Sequence, residues 1–162
     1  MRILLIDGPN LNTLGKREPD VYGSMTLAEI QAKVQEKARA LGVEVRAFQS
    51  NSEGAIIDFM QSEGLNADGI IINPGALTHY SLALRDALSA AALPTIEVHI
   101  SNIYGREHFR RRSMTAGVCR GIVAGLGWRG YVAALDALVG ILHEETPGGE
   151  SSAPPIGGVS EG

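Results

Sequence analysis

Short apolar runs, each bounded by turn signals and alternating with helical repeats, constrain this chain more than any other feature. The first, Ile3 to Ile6, is apolar at every position and ends in Asp7-Gly8-Pro9. A strand that is apolar on both faces belongs inside a parallel sheet covered on both sides. Thr26 is a plausible N-cap with Glu29 at the capping-box spacing, and Leu27, Ile30, Val34, Ala38 and Leu41 recur at helical intervals until Gly42. The same alternation predicts strands at Val43 to Phe48, Gly69 to Ile72, Thr95 to Val98 and near Cys119 to Ala124. It predicts helices at Glu53 to Ser62, at about Thr78 to Ala92 and at about Tyr131 to Glu144. Because right-handed crossovers return each strand to one sheet, the expected fold is α/β, a doubly wound three-layer sandwich. Residues 1–145 are expected to form one domain. Residues 146–162 are rich in Gly, Pro and Ser and are expected to be a disordered tail.

The charge balance narrows the function. A formal net charge of −4 with one short basic run, Arg110 to Arg112, gives no cationic surface for nucleic acid. No apolar stretch approaches the roughly 18 residues of a membrane span, and the N-terminus runs straight into a strand pattern. With a single cysteine, Cys119, disulfide scaffolding is excluded. A cytoplasmic protein with no nucleic-acid or membrane partner is expected.

In an open parallel sheet, ligands sit at the carboxyl ends of the strands near the switch in strand order. That rule selects the segments Asp7 to Tyr22, Gln49 to Ser52, Asn73 to His79 and Glu97 to Arg112. The first connection, from Gly8 to Gly23, is far longer than a βα turn requires, and Gly15 and Gly23 flank Arg17 and Tyr22 at hinge-like positions. A lid is one reading, and a solvated, self-paired charge cluster at Lys16 to Asp20 is the other. In the third segment a strand end turns into a helix start carrying His79, a residue that could equally face solvent. In the fourth, Glu97 and His99 alternate along a buried strand and so point to one side. A carboxylate beside an imidazole orients it and favours its protonated form, as a general acid needs.

Two features point elsewhere. Gly125-Leu126-Gly127-Trp128-Arg129-Gly130 matches a dinucleotide-binding pattern, but no second strand with an acidic end follows it. Cys119 has no metal-ligand spacing around it and reads as a small hydrophobe in a strand. A flavin carrier would need a Ser/Thr/Gly-rich phosphate loop after the first strand, where Pro9-Asn10-Leu11-Asn12 stands. A phospho-receiver would need clustered acids there, and Asp7 stands without them.

Taken together, the stretches GPNLNTLGKREPDVYG (8–23), NPGALTHYSLALRDA (73–87), EVHISNIYGREHFRRR (97–112) and GIVAGLGWRGY (121–131) resemble the type II 3-dehydroquinate dehydratases. The resemblance implies a flavodoxin-like fold with a five-stranded parallel sheet, and elimination of water from 3-dehydroquinate in the shikimate pathway or in quinate degradation. It also implies no cofactor, no metal, and a homo-oligomer that is a dodecamer, a tetramer of trimers. By the same resemblance Tyr22 is the base, Arg17 its lid cation, His99 the acid, Glu97 its orienting partner, and Asn10 the holder of a water at the enolate oxygen. Ile100 and Ser101 hold the substrate carboxylate, while Asn73, His79 and Arg110 bind the carboxylate and ring hydroxyls. Asp86 contributes from a neighbouring subunit. If one helix carries both His79 and Asp86, their seven-residue separation spans about 10.5 Å, too far for one small substrate to touch both.

The chemistry is consistent with these residue types. A tyrosine in water ionises near pH 10, so a tyrosine base needs a cation beside it. The three lysines, Lys16, Lys33 and Lys37, lie in the long loop and the first long helix rather than at strand ends, so a Schiff-base route has no candidate.

Overall fold

A computed structural model describes residues 1–16 and 18–146. The expected tail after 146 and the Arg17 position lie outside the described residues. Five parallel strands form one sheet: β1 (Arg2–Asp7), β2 (Glu44–Gln49), β3 (Gly69–Asn73), β4 (Thr95–His99) and β5 (Gly121–Ala124), in the order β2-β1-β3-β4-β5. The helices are α1 (Pro19–Tyr22), α2 (Leu27–Leu41), α3 (Glu53–Glu63), α4 (Leu82–Ala91) and α5 (Arg129–Glu145). The flavodoxin-like α/β architecture is as expected.

Pleating of the apolar strands builds two cores. Ile3 and Leu5 of β1, with Ile71, Ile96 and Val98, pack beneath α2 and α5. Leu4 and Ile6, with Ile70 and Ile72, pack beneath α3 and α4. Such a strand must be apolar at every position because both of its faces are covered. The edge strand β2 alternates instead, with Val45 buried between exposed Glu44 and Arg46. The Thr26 capping box forms in full, with Glu29 N–H donating to Thr26 Oγ1 at 3.2 Å and Thr26 N–H to Glu29 Oε2 at 2.7 Å.

Two expected elements begin elsewhere. The helix expected from Thr78 is split into a 3-10 turn at Gly75–His79 and α4, which starts only at Leu82. Ser81 is the N-cap, accepting the Leu84 N–H at 2.9 Å, while the Thr78 hydroxyl is turned inward to Glu97. His79 and Asp86 therefore do not share one helix, and the helical spacing between them does not apply. The last strand begins at Gly121, so Cys119 lies in the turn before it. Its half-buried thiol donates to the Thr115 carbonyl and is pushed up to about 12 by burial and by the charge of Glu97. That thiol stays protonated and unreactive.

Because β1 lies between β2 and β3, the chain reverses its winding direction at β1, and a crevice opens at the carboxyl ends of β1 and β3. Close backbone contact shapes it. Gly8 N–H donates to the Asn73 carbonyl at 2.8 Å, and a Cβ at Gly8 would overlap the Pro74 carbonyl. Gly75 turns with φ +58° against the Pro9 carbonyl. These contacts dock the first loop onto the end of β3.

Candidate active site

The crevice holds a cavity of about 200 Å³, lined by Asn10, Tyr22, Asn73, His79, His99, Ile100, Ser101 and Arg110 among others. Glu97 stands immediately behind His99. Asp86 does not line the cavity; it is exposed on α4.

Alternation along β4 sets one side of the site. Glu97 and His99 share a face, and His99 Nε2–H donates to Glu97 Oε1 at 2.6 Å with both side chains buried. Three hydroxyls complete the shell around the carboxylate. Thr78 donates to Oε1 at 2.6 Å, Ser113 to Oε1 at 2.8 Å and Thr115 to Oε2 at 2.6 Å. Burial opposes a charge here, yet the bonds from His99, Thr115 and Thr78 outweigh it and hold the Glu97 carboxyl below its ordinary range. A fixed carboxylate thus orients the imidazole and leaves Nδ1 as the ring nitrogen for a ligand. The hydroxyl shell escapes sequence reading because Thr78 precedes Glu97 by 19 residues and Thr115 follows it by 18.

The cavity is also lined by Tyr22, at the end of the single turn α1, with its ring packed against the core beneath α2 and α5. Leu11 and Leu14, both buried, anchor the first half of this loop. Gly15 and Gly23 adopt φ +88° and +80° at its two bends. Among the described residues, a cation that the sequence did not single out reaches the phenol: Arg106 Nη1–H donates to Tyr22 Oη at 2.7 Å, and its Cζ lies 5.4 Å from the ring centroid. A charged donor on the phenolic oxygen fixes that oxygen at the cavity. The pairing spans 84 residues, and its only sequence trace is an arginine within the polar stretch after β4.

The remaining side chains bring hydrogen-bond donors to the cavity. His79 Nδ1–H donates to the Arg112 carbonyl at 2.8 Å, which fixes the ring and leaves Nε2 for a ligand. Arg110 lies with Nε 3.3 Å from Glu107 Oε2, but that buried N–H lacks the geometry of a hydrogen bond. Arg110 also lines the cavity, and the planar donor set of a guanidinium suits a carboxylate. Asn10 takes a left-handed conformation, φ 68°, and its N–H donates to Asn51 Oδ1 at 2.9 Å.

The glycines of the 125–130 pattern are engaged elsewhere. Gly125 N–H donates to the His99 carbonyl at 3.2 Å and Gly127 N–H to that of Ile100 at 3.1 Å, so they secure the end of β4 rather than face a phosphate. Among the described residues, no three His, Cys, Asp or Glu side chains gather closely enough to hold a metal ion, and no helix is long and apolar enough to cross a membrane.

Comparison with known proteins bears on this arrangement. Residues 1–139 match the family model described as Dehydroquinase class II. A 3-dehydroquinate dehydratase from Roseiflexus castenholzii is 64% identical over 140 residues, covering 86% of this chain and 89% of that protein. The crystal structure of a type II dehydroquinase from Butyrivibrio crossotus superposes with a TM-score of 0.84 at 49% identity, covering 85% of this chain and 97% of that one. A type II dehydroquinase from Propionibacterium acnes superposes with a TM-score of 0.83 at 41% identity, covering 86% and 96%.

Proposed function

The chain belongs to the class II dehydroquinases, and from that premise we propose how its residues divide the conversion of 3-dehydroquinate to 3-dehydroshikimate. The observation that carries the reading is the placement of a cation-bound tyrosine and a carboxylate-bound histidine on one small cavity. An elimination of water needs a base for a carbon acid and an acid for the departing hydroxyl.

Tyr22, as the phenolate, takes the proton from C2 beside the ketone, and the electron pair moves onto the ketone oxygen as an enolate. Arg106 holds the phenolate, and Arg17 shares that task from the same loop. A water held by Asn10 donates to the enolate oxygen. The enolate then collapses: the C1–O bond breaks, His99 supplies the proton that turns the leaving hydroxyl into water, and the C1–C2 double bond forms. Glu97 orients His99. Ile100 and Ser101 bind the substrate carboxylate through backbone N–H groups and the Ser101 hydroxyl, while Asn73, His79 and Arg110 bind carboxylate and ring hydroxyls. No cofactor takes part.

The loop from Gly8 to Gly23 acts as a lid that brings Tyr22 to the substrate, bending at Gly15 and Gly23. The active unit is a homo-oligomer, a tetramer of trimers, in which Asp86 reaches the site of a neighbouring subunit. Its exposure on α4 and its absence from the cavity wall of its own chain support this. The protein works in the cytoplasm, in aromatic biosynthesis or quinate breakdown. The test is the growth of conjugated-enone absorbance when 3-dehydroquinate is added to the purified protein. Turnover without added metal or nucleotide is the expected result, and no absorbance change would overturn the reading.

A further inference from the structure

One buried acid takes no part in the chemistry above. Asp7, the last residue of β1, is 0% exposed, and its Oδ1 accepts the Tyr131 hydroxyl at 2.8 Å. Tyr131, from α5, is also 0% exposed, and its oxygen accepts Asn73 Nδ2–H at 2.8 Å. The chain of bonds ends where Asn73 Oδ1 accepts the Gly75 N–H at 3.1 Å. Asn73 lines the cavity. A buried carboxylate is thus connected through one phenol to a side chain that faces the substrate.

The direction of these bonds is set by which atoms own hydrogens. An ionised Asp7 has none, so Tyr131 must donate to it. The phenol has no second hydrogen, so it can only accept from Asn73, whose NH2 group must then face Tyr131 while its carbonyl takes Gly75 N–H. The second N–H of that NH2 group is what remains for a ligand. When Asp7 is protonated the whole series can reverse. Its O–H donates to Tyr131, the phenol donates to Asn73, and the amide must offer its carbonyl there, giving up the Gly75 bond.

We propose that Asp7 is a positioning residue for substrate binding: through Tyr131, its carboxylate holds the Asn73 amide so that it meets an oxygen-rich ligand with an N–H and not a carbonyl. The inference rests on the dehydratase reading. The side chains that bond to Asp7 or pair with it in register are Tyr131 from α5, Gln31 from α2 at 3.4 Å, Gln49 from β2 and Asn73 from β3. Tyr131 is the titratable one, and burial followed by the Asp7 charge pushes it well above its ordinary value, so it stays neutral. Burial pushes the Asp7 carboxyl up to about 6, against the opposing bonds from Tyr131 and Gln31. The reversal therefore falls within a range of pH where the enzyme can be assayed.

The experiment measures KM and kcat for 3-dehydroquinate between about pH 5 and pH 8 in the wild type, Asp7→Asn and Tyr131→Phe, with thermal melting to confirm that each is folded. In the wild type, KM should rise about fivefold as pH falls through about 6, the size of one neutral hydrogen bond, with a smaller change in kcat. Asp7→Asn has no proton to gain and should lose that step. Tyr131→Phe should lose it too, with KM raised about fivefold throughout, because the connection is cut. A step in KM that persists unchanged in Asp7→Asn, or a Tyr131→Phe enzyme with wild-type KM at every pH, would overturn the proposal while the dehydratase reading stands. Absence of turnover in the wild type would overturn both.

Discussion

The same buried acid makes a prediction about stability that needs no substrate. Asp7 is wholly inaccessible, and its carboxyl is raised from 3.8 to about 6, chiefly by burial. A shift of about two units corresponds to about 3 kcal/mol of preference for the protonated form in the folded state. The folded protein therefore holds this proton more tightly than the unfolded chain does. Asp7 costs nothing below about pH 4, costs more as pH rises from about 4 to 6, and costs the full amount above that. Asp7→Asn keeps the shape and an acceptor for Tyr131 but cannot ionise, so at about pH 7.5 it should be more stable than the wild type by up to about 3 kcal/mol. The gain should shrink towards zero at about pH 4. Urea unfolding followed by the fluorescence of Trp128, at matched protein concentration so that association contributes alike, reads the difference. Groups common to both proteins cancel in that difference. A gap that stays constant with pH, or a less stable Asp7→Asn at about pH 7.5, would show that burial of the Asp7 carboxylate costs the fold nothing. If the gain is found, the native residue is one that sacrifices stability at a site where orientation matters.

Other consequences are open to direct measurement. Thr115→Val removes the hydroxyl on Glu97 Oε2 and should destabilise the fold by about 1.5 to 3 kcal/mol near neutral pH. It should also lower kcat, because His99 loses part of its orienting charge; equal stability and kcat would show that the hydroxyl shell is idle. Arg106→Ala should lower kcat by more than about tenfold with a smaller change in KM, since the charged bond to Tyr22 serves the proton transfer. A change confined to KM would make Arg106 a binding residue only. In His99→Ala, exchange of the substrate C2 hydrogen with deuterated solvent should continue while turnover nearly stops. Loss of both together would show that Tyr22 and His99 do not divide the two proton transfers.

Much of this site is legible in the sequence because strand physics is local. The apolar run of β1 follows from burial on both faces, its stop at Asp7-Gly8-Pro9 from turn chemistry, and the shared side of Glu97 and His99 from period-two geometry; the rule for parallel sheets places the crevice beyond them. What escapes is what depends on pairing across the chain. Arg106 meets Tyr22, and Tyr131 joins Asp7 to Asn73 across 124 and 58 residues. No periodicity encodes such contacts. The start of α4 was obscured for a different reason: Thr78 and Ser81 are both acceptable N-caps, and the choice is made by the Thr78 hydroxyl turning to Glu97. That preference lies in the tertiary structure, so the helix boundary could not be read from propensity alone.

If Tyr22 is the base, Tyr22→Phe removes the one oxygen that accepts the proton and leaves the ring packed in place. Initial rates of enone formation from 3-dehydroquinate, paired with substrate affinity measured on the inactive variant, separate chemistry from binding. In Tyr22→Phe, kcat should fall by at least about a thousandfold while affinity stays within about tenfold of the wild type. A Tyr22→Phe enzyme that retains kcat, with its defect confined to KM, would contradict it.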